Sequence, residues 1–250
     1  MLIENTLFGI KDKEQIAIER FKCFEPAYGY YLAFSGGKDS IVILDLAKRA
    51  KVKFDLHHAI TTVDAPEVVR FCRENGCEMI PPKKSMATLI REKNLPTRIF
   101  RFCCAYLKEQ GGKGRTVVTG IRWAESVKRG KRKMVEAGKG KNFVNPIIDW
   151  SNEDVWEYIR KYNLKYPSLY DKGWKRIGCI GCPMAGLKRI KEFEQFPNFE
   201  KIYKDAARYA YNKNNHKWKK QYKTFEDYWD WWINEPESID PNQCLLVFED

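Results

Sequence analysis

Apolar and polar positions alternate over the first 150 residues in a pattern that predicts strands and helices in turn. Gly29 to Phe34 (GYYLAF) is a short apolar run bounded by Ser-Gly-Gly, and Ser40 to Ala50 (SIVILDLAKRA) has helical periodicity, which predicts strand, tight loop, helix. Phe54 to Thr61 predicts a second strand. Asp64, Pro66 and Glu67 then open a helix to about Glu74 with D-x-x-E capping spacing. Glu78 to Ile80 predicts a third strand, Ser85 caps a helix to about Lys93, a further helix covers Phe102 to Glu109, and Arg115 to Ile121 is β-rich. From Ser151 the pattern turns helical, with a Ser151-x-x-Asp154 cap opening Asn152 to Tyr162 and aromatic-rich helices at 187–212 and 224–234. The alternation predicts an α/β fold with a mostly parallel sheet and helices on both faces. The expected division is an α/β domain over 1–150 and a helical, Cys-bearing extension over 151–250.

Composition narrows the class. At 250 residues, 44% hydrophobic and 14% aromatic, the chain can bury a full core, and disorder is excluded. No apolar run approaches the roughly 18 residues of a membrane span. The start, MLIENTLFGIKDKEQ, lacks the basic residues and long apolar stretch of a signal peptide, so a cytoplasmic location is expected. In that reducing compartment eight Cys imply metal or redox chemistry rather than disulfides.

The net charge of +12 is uneven. Thr224 to Asp250 holds eight acidic residues and no Lys or Arg, leaving +20 on the rest, concentrated at 126–142 and 213–223. Such runs serve either as solvated surface or as a site for a polyanion, including nucleic acid.

The most informative motif is Ser35-Gly36-Gly37-Lys38-Asp39-Ser40, between the first predicted strand and its helix. Two glycines let backbone N–H groups approach an anion, the helix N-terminus adds its dipole, and Lys38, Ser35 and Ser40 add donors. The Gly-x4-Gly-Lys spacing of a Walker A loop is absent. SGGKDS resembles the pyrophosphate-binding loop of the adenine nucleotide alpha-hydrolase superfamily, which includes ATP pyrophosphatases, tRNA and DNA thiolation enzymes and sulfonucleotide reductases. Further stretches, Thr119 to Ser126 with Arg129 beyond, Asn145 to Trp150, Asp154-Val155-Trp156 and Tyr166 to Asp171, resemble the phosphoadenosine phosphosulfate (PAPS) reductase family over about Tyr28 to Gly186.

The resemblance implies an adenine nucleotide, ATP or a sulfated nucleotide, held by the 35–40 loop with Gly120, Arg122, Glu125, Ser126 and Arg129. Arg122 and Arg129 follow a predicted strand end, where a guanidinium can clamp phosphate or sulfate oxygens. Thr61 and Asp64 are candidates for ribose or base contacts, while His57 and His58 fit packed roles. Catalytic roles fall to Lys38, Asp39 and Arg122, with Cys244 the candidate nucleophile of a reductase, Mg²⁺ where ATP is the substrate and Asp39 a metal or loop-ordering ligand.

Cys103-Cys104 is followed by Cys179-Ile180-Gly181-Cys182-Pro183, a C-x2-C turn able to present two thiolates to one centre. Adjacent cysteines on a helix point roughly 100° apart, awkward for one tetrahedral zinc and feasible around an iron–sulfur cube. The set resembles the site of [4Fe-4S]-containing adenylylsulfate reductases; zinc and uncoordinated thiols are the alternatives. Cys23, Cys72 and Cys77 fit ordinary packing. The departure is at the tail: sulfonucleotide reductases carry a nucleophilic Cys in Glu-Cys-Gly-Leu-His, whereas Cys244 stands in Asn242-Gln243-Cys244-Leu245-Leu246.

Three functions follow as expectations. In the first, a reductase-family enzyme with a [4Fe-4S] cluster beside its nucleotide uses an enzyme thiol and thioredoxin. In the second, an ATP pyrophosphatase adenylates nucleic acid and delivers sulfur from a donor. The third is a zinc-stapled nucleic-acid-binding module without catalysis.

Overall fold

The computed structural model describes residues 1–7, 9–213 and 218–234. Along the chain run β1 (Ile3–Thr6), β2 (Gly9–Asp12), α1 (Lys13–Cys23), β3 (Tyr30–Ala33), α2 (Lys38–Ala50), β4 (Phe54–Ala59), α3 (Pro66–Glu74), β5 (Glu78–Ile80), α4 (Met86–Lys93) and α5 (Phe102–Leu107). There follow β6 (Thr116–Val118), α6 (Val127–Gly130), β7 (Val135–Gly138), β8 (Lys141–Val144), α7 (Asn152–Lys161), α8 (Lys188–Gln195), α9 (Pro197–Lys213), α10 (Trp218–Gln221) and α11 (Phe225–Ile233). No helix among the described residues is long and apolar enough to cross a membrane.

The chain forms two compact units that interleave along the sequence instead of meeting at residue 150: 1–60, 66–81 and 110–178 in one, 61–65, 82–109 and 179–250 in the other. A boundary read from composition follows chain order, whereas units are defined by packing, and α4 buries Met86, Leu89 and Ile90 in helical company.

The first unit holds a six-stranded sheet in the order β5-β4-β3-β6-β8-β7. It is parallel from β5 to β8, with Tyr30 opposite Phe54 and Val118 opposite Val144, while β7 runs antiparallel to β8. Tyr30, Leu32 and Phe34 on and beyond β3 are buried, and α1, α2 and α7 pack in succession. Helix α7 starts on the expected reciprocal cap: Asp154 N–H donates to Ser151 Oγ at 3.1 Å, and Ser151 N–H to Asp154 at 2.8 Å. The basic run at 126–142 folds into α6 and a β-hairpin whose two-residue turn, Lys139-Gly140, has φ +54° and +70°.

The second unit is helical and built around α9, against which α4, α8 and α11 pack. Buried Ala206, Ala207 and Ala210 let neighbours approach closely, and Phe193, Tyr203, Trp229 and Trp232 form an aromatic core. The helical stretch expected over 187–212 is divided at Phe196, because Pro197 supplies no N–H and disfavours helical backbone before it. Helix α5 ends at Leu107, two residues before the expected Glu109.

Candidate functional site

In the first unit the 35–40 loop turns from β3 into α2. Gly36 has φ +74°, and a Cβ there would lie 2.8 Å from Val68 Cγ1, so both backbone and space require glycine. Gly37 caps α2 without a side-chain cap bond, which leaves first-turn N–H groups of a 13-residue helix to other partners. Ser35 Oγ accepts Gly37 N–H at 3.3 Å and lies 3.2 Å from Ser40 Oγ, which donates to Gly37 O at 2.8 Å. The ring hydroxyl of Tyr170 accepts Lys38 N–H at 2.8 Å, and Lys38 Nζ, itself buried, donates to Lys175 O at 3.4 Å. Tyr170 carried no assigned role in the sequence; only the fold brings it 132 residues back to the loop.

Arg122 is 3% exposed, and its guanidinium is turned inward: Nε donates to Asp39 Oδ1 at 2.7 Å and Nη1 to Trp150 O at 3.3 Å. Asp39 thereby orders the loop. Gly120 sits where a Cβ would come within 2.9 Å of Asp39 Cβ, so its smallness lets the segment after β6 abut α2. Glu125 accepts Arg122 N–H and pairs with Arg129, and Ser126 Oγ caps α6 through Arg129 N–H. These residues brace the arginine-bearing segment.

In the second unit lie all four cysteines expected at the metal, together with Thr61 and Asp64. Cys103 and Cys104 are adjacent on α5, Cys103 buried and Cys104 partly so. An antiparallel bridge pairs Asp64 with Cys179, and Ile180 N–H donates to Val63 O at 2.8 Å, which fixes the C-x2-C turn against 61–65. Asp64 accepts Thr61 N–H at 2.7 Å. Gly181 has φ +70°, and a Cβ there would lie 2.4 Å from the Phe193 ring.

The four sulfurs share one electrostatic neighbourhood. A hydrogen bond to Cys104 and burial push the Cys103 thiol up, and the same bond lowers Cys104, assisted by Lys108 and Arg101. Lys108 is itself raised by Cys179, against its desolvation, with Asp64 and Cys182 adding to the effect. Burial first, then Cys179, Cys182 and Cys103, holds Tyr203 well above the usual phenol range. Lys108 was missed in the sequence; its position four residues beyond Cys104 was the available signal. Among the described residues no three His, Cys, Asp or Glu side chains converge as a metal-binding group. The donor chemistry nevertheless fits a thiolate-held centre, since an ammonium beside thiols favours their ionised form. Cys244 lies outside the described residues.

Residues 29–185 match the model of the phosphoadenosine phosphosulfate reductase domain. An uncharacterized protein of Methanocaldococcus jannaschii is 32% identical over 178 residues, covering 65% of this chain and 43% of its own, so the chain spans less than half that relative's length. The adenosine 5'-phosphosulfate reductase of Lysinibacillus sphaericus is 28% identical over 200 residues, covering 71% of this chain and 84% of its own. The PAPS reductase of Candida auris, solved with phosphate, superposes with a TM-score of 0.50 at 21% identity over 66% of this chain and 87% of its own, which shows the shared fold. With its α/β sheet, its glycine loop and a match over more than half its length, the chain belongs to the phosphoadenosine phosphosulfate reductase domain family.

Proposed function

We propose that this chain is an enzyme of sulfur chemistry that binds an adenine nucleotide through Ser35 to Ser40 and carries a [4Fe-4S] cluster on Cys103, Cys104, Cys179 and Cys182. The observation that carries the reading is the loop itself: glycine is obligatory at 36, Gly37 caps α2 with no side chain of its own, and Lys38 and Asp39 stand at the head of α2. Such an end stabilises a pyrophosphate or phosphosulfate by N–H donors and dipole. Asp39, held by Arg122, keeps the helix head in register with the segment after β6. Bound to the four thiols, a cluster would supply a polarisable redox-capable centre, and Lys108 would balance thiolate charge there. The α5 placement of Cys103 and Cys104 favours it over one zinc ion.

With a sulfated nucleotide the reaction is a reduction in three successive displacements. A thiolate attacks the sulfate sulfur, an S–S bond forms, and the S–O bond breaks with the nucleotide monophosphate as leaving group. An external dithiol, of which thioredoxin is the type, then releases sulfite and ends as the disulfide. The name of the Lysinibacillus relative supports this substrate class. The second reading uses ATP with Mg²⁺: a nucleic-acid oxygen attacks the α-phosphorus and pyrophosphate leaves, and sulfide-level sulfur from an external donor then displaces AMP from the adenylated acceptor. The net charge of +12 and the absence of Gly and His after Cys244 favour it. Incubation with labelled ATP, adenylylsulfate and its 3′-phosphorylated form, scored for pyrophosphate against sulfite, tests both. Neither product from anaerobically purified protein would overturn the enzymatic reading.

A further inference from the structure

The Tyr170 hydroxyl accepts the N–H of Lys38, the first residue of α2, at 2.8 Å. That N–H is one of the donors the loop would offer to a phosphate oxygen, so the phenol oxygen stands where an anion's oxygen would stand. Three further features show that the contact is built. Trp156, Tyr166 and Tyr170 pack edge to face, with ring centroids 5.1 to 6.0 Å apart, which fixes the Tyr170 ring. The same segment covers the loop's cation: Lys38 Nζ donates to Lys175 O and lies 5.9 Å from the centre of the Tyr170 ring. At its start the segment is clamped to α3, where Glu67 accepts Leu169 N–H at 3.1 Å and Ser168 Oγ at 3.1 Å.

We propose that residues 166–176 form a strap across the phosphate loop, with the Tyr170 hydroxyl as a placeholder for a nucleotide phosphate oxygen, so that binding exchanges one for the other. The inference rests on the nucleotide reading above and adds to it a competing group within the chain. A phenol is a fitting placeholder. Its oxygen faces the backbone N–H groups of Lys38 and Ile177 and, with burial holding its pKa well above the usual range, stays neutral, so an anion at the Lys38 donor gains the charge-assisted part of the bond. Displacement also frees Lys38 Nζ from a carbonyl for a phosphate.

Tyr170→Phe keeps the ring packing and removes only the competing acceptor. Binding of ATP and of inorganic pyrophosphate should tighten by roughly threefold to tenfold, the range of one hydrogen bond, with the gain in association rate by stopped flow, while adenosine binding stays as in the wild type. Glu67→Gln, which loosens the anchor, should raise the association rate in the same direction. Circular dichroism and the urea midpoint establish that both variants fold.

Weaker pyrophosphate binding in Tyr170→Phe would make the hydroxyl a phosphate ligand and overturn the placeholder role. Unchanged affinity and rate in both variants would overturn the strap. Failure of ATP, pyrophosphate, adenylylsulfate and its 3′-phosphorylated form to bind wild type and Tyr170→Phe alike would remove the nucleotide reading and this inference with it. Binding to Tyr170→Phe alone would support both.

Discussion

Arg122 Nε donates to Asp39 Oδ1 across 2.7 Å, joining the segment after β6 to the head of α2 with an arginine that is 3% exposed. Loss of either partner leaves a charge or acceptor with too few contacts. Arg122→Ala should cost about 2–4 kcal/mol in urea unfolding, less than a fully buried pair because Asp39 is 22% exposed. Arg122→Lys should not restore it, since a point ammonium cannot serve Asp39 and Trp150 O from one plane. An unshifted urea midpoint in Arg122→Ala would show that the pair contributes nothing.

The two loop glycines separate fold from binding. Gly36→Ala forces a side chain into φ +74° and to within 2.8 Å of Val68, so it should lower stability by about 1–3 kcal/mol. Gly37 has φ −85°, and an added Cβ would meet Ser35 Oγ and Tyr170 Oη at an ordinary 3.4 Å. Gly37→Ala should therefore fold normally and lose nucleotide affinity by at least tenfold, about 1.4 kcal/mol. Lys38→Ala should lose a similar factor. Calorimetric titration with ATP checks both; wild-type affinity in each would move the site elsewhere.

How far the sequence reached this picture depended on whether a contact is local. The glycine loop, the Ser85 cap and the Ser151-Asp154 box are set within a few residues, and each stands in the structure where the pattern places it. The β7–β8 hairpin was hidden because its turn is Lys139-Gly140; the first position takes φ +54° without the Asn or Asp that normally signals it. The β1–β2 hairpin of four-residue strands gave no longer pattern to read. Tyr170 on Lys38, and Asp64 against Cys179, are tertiary pairings over 100 residues apart that no periodicity encodes.

For the thiol site, serine at Cys103, Cys104, Cys179 or Cys182 should lower iron and acid-labile sulfide together after anaerobic purification. Gly181→Ala should have the same effect with all four thiols intact, because the turn cannot close against Phe193 at 2.4 Å. Lys108→Met should keep the thiols and remove the ammonium that helps hold the Cys104 thiol below its ordinary value, seen as slower alkylation of Cys104 in the metal-free protein. Full iron content in all four serine variants would remove the cluster assignment.

Acid should loosen α7 through Asp154. Burial opposes its ionisation, but hydrogen bonds from Lys13 and the Met1 ammonium outweigh that and bring its pKa to about 2, below the ordinary 3.8. The folded value is the lower one, so the stabilisation is complete above about pH 4 and is lost as pH falls towards 2. Its size is about 2 kcal/mol. Asp154→Asn should remove this part of the acid dependence and cost stability at pH 7, where buried Lys13 keeps only the more exposed Glu4 carboxylate. Urea midpoints from pH 7 to pH 2 that run parallel in wild type and Asp154→Asn would exclude the effect.

The two enzymatic readings part at Cys244. A reductase needs a thiolate to attack sulfur, and covalent attack has no substitute, so Cys244→Ser would abolish sulfite release and the sulfonated enzyme while sparing nucleotide binding. An ATP pyrophosphatase has no use for that thiol; its chemistry needs the loop, Mg²⁺ and charge stabilisation at the α-phosphate. The surroundings of Cys244 work against a nucleophile. Asp240, Glu249 and Asp250 lie nearby in sequence, where negative charge raises a thiol pKa, and the Gly and His of the reductase tail are absent. The expected outcome is that Cys244→Ser keeps the wild-type activity, which then depends on Lys38 and Asp39. Sulfite release and a trapped S-sulfonated peptide in the wild type, both lost in Cys244→Ser, would reverse that expectation and assign the reductase reaction to this chain.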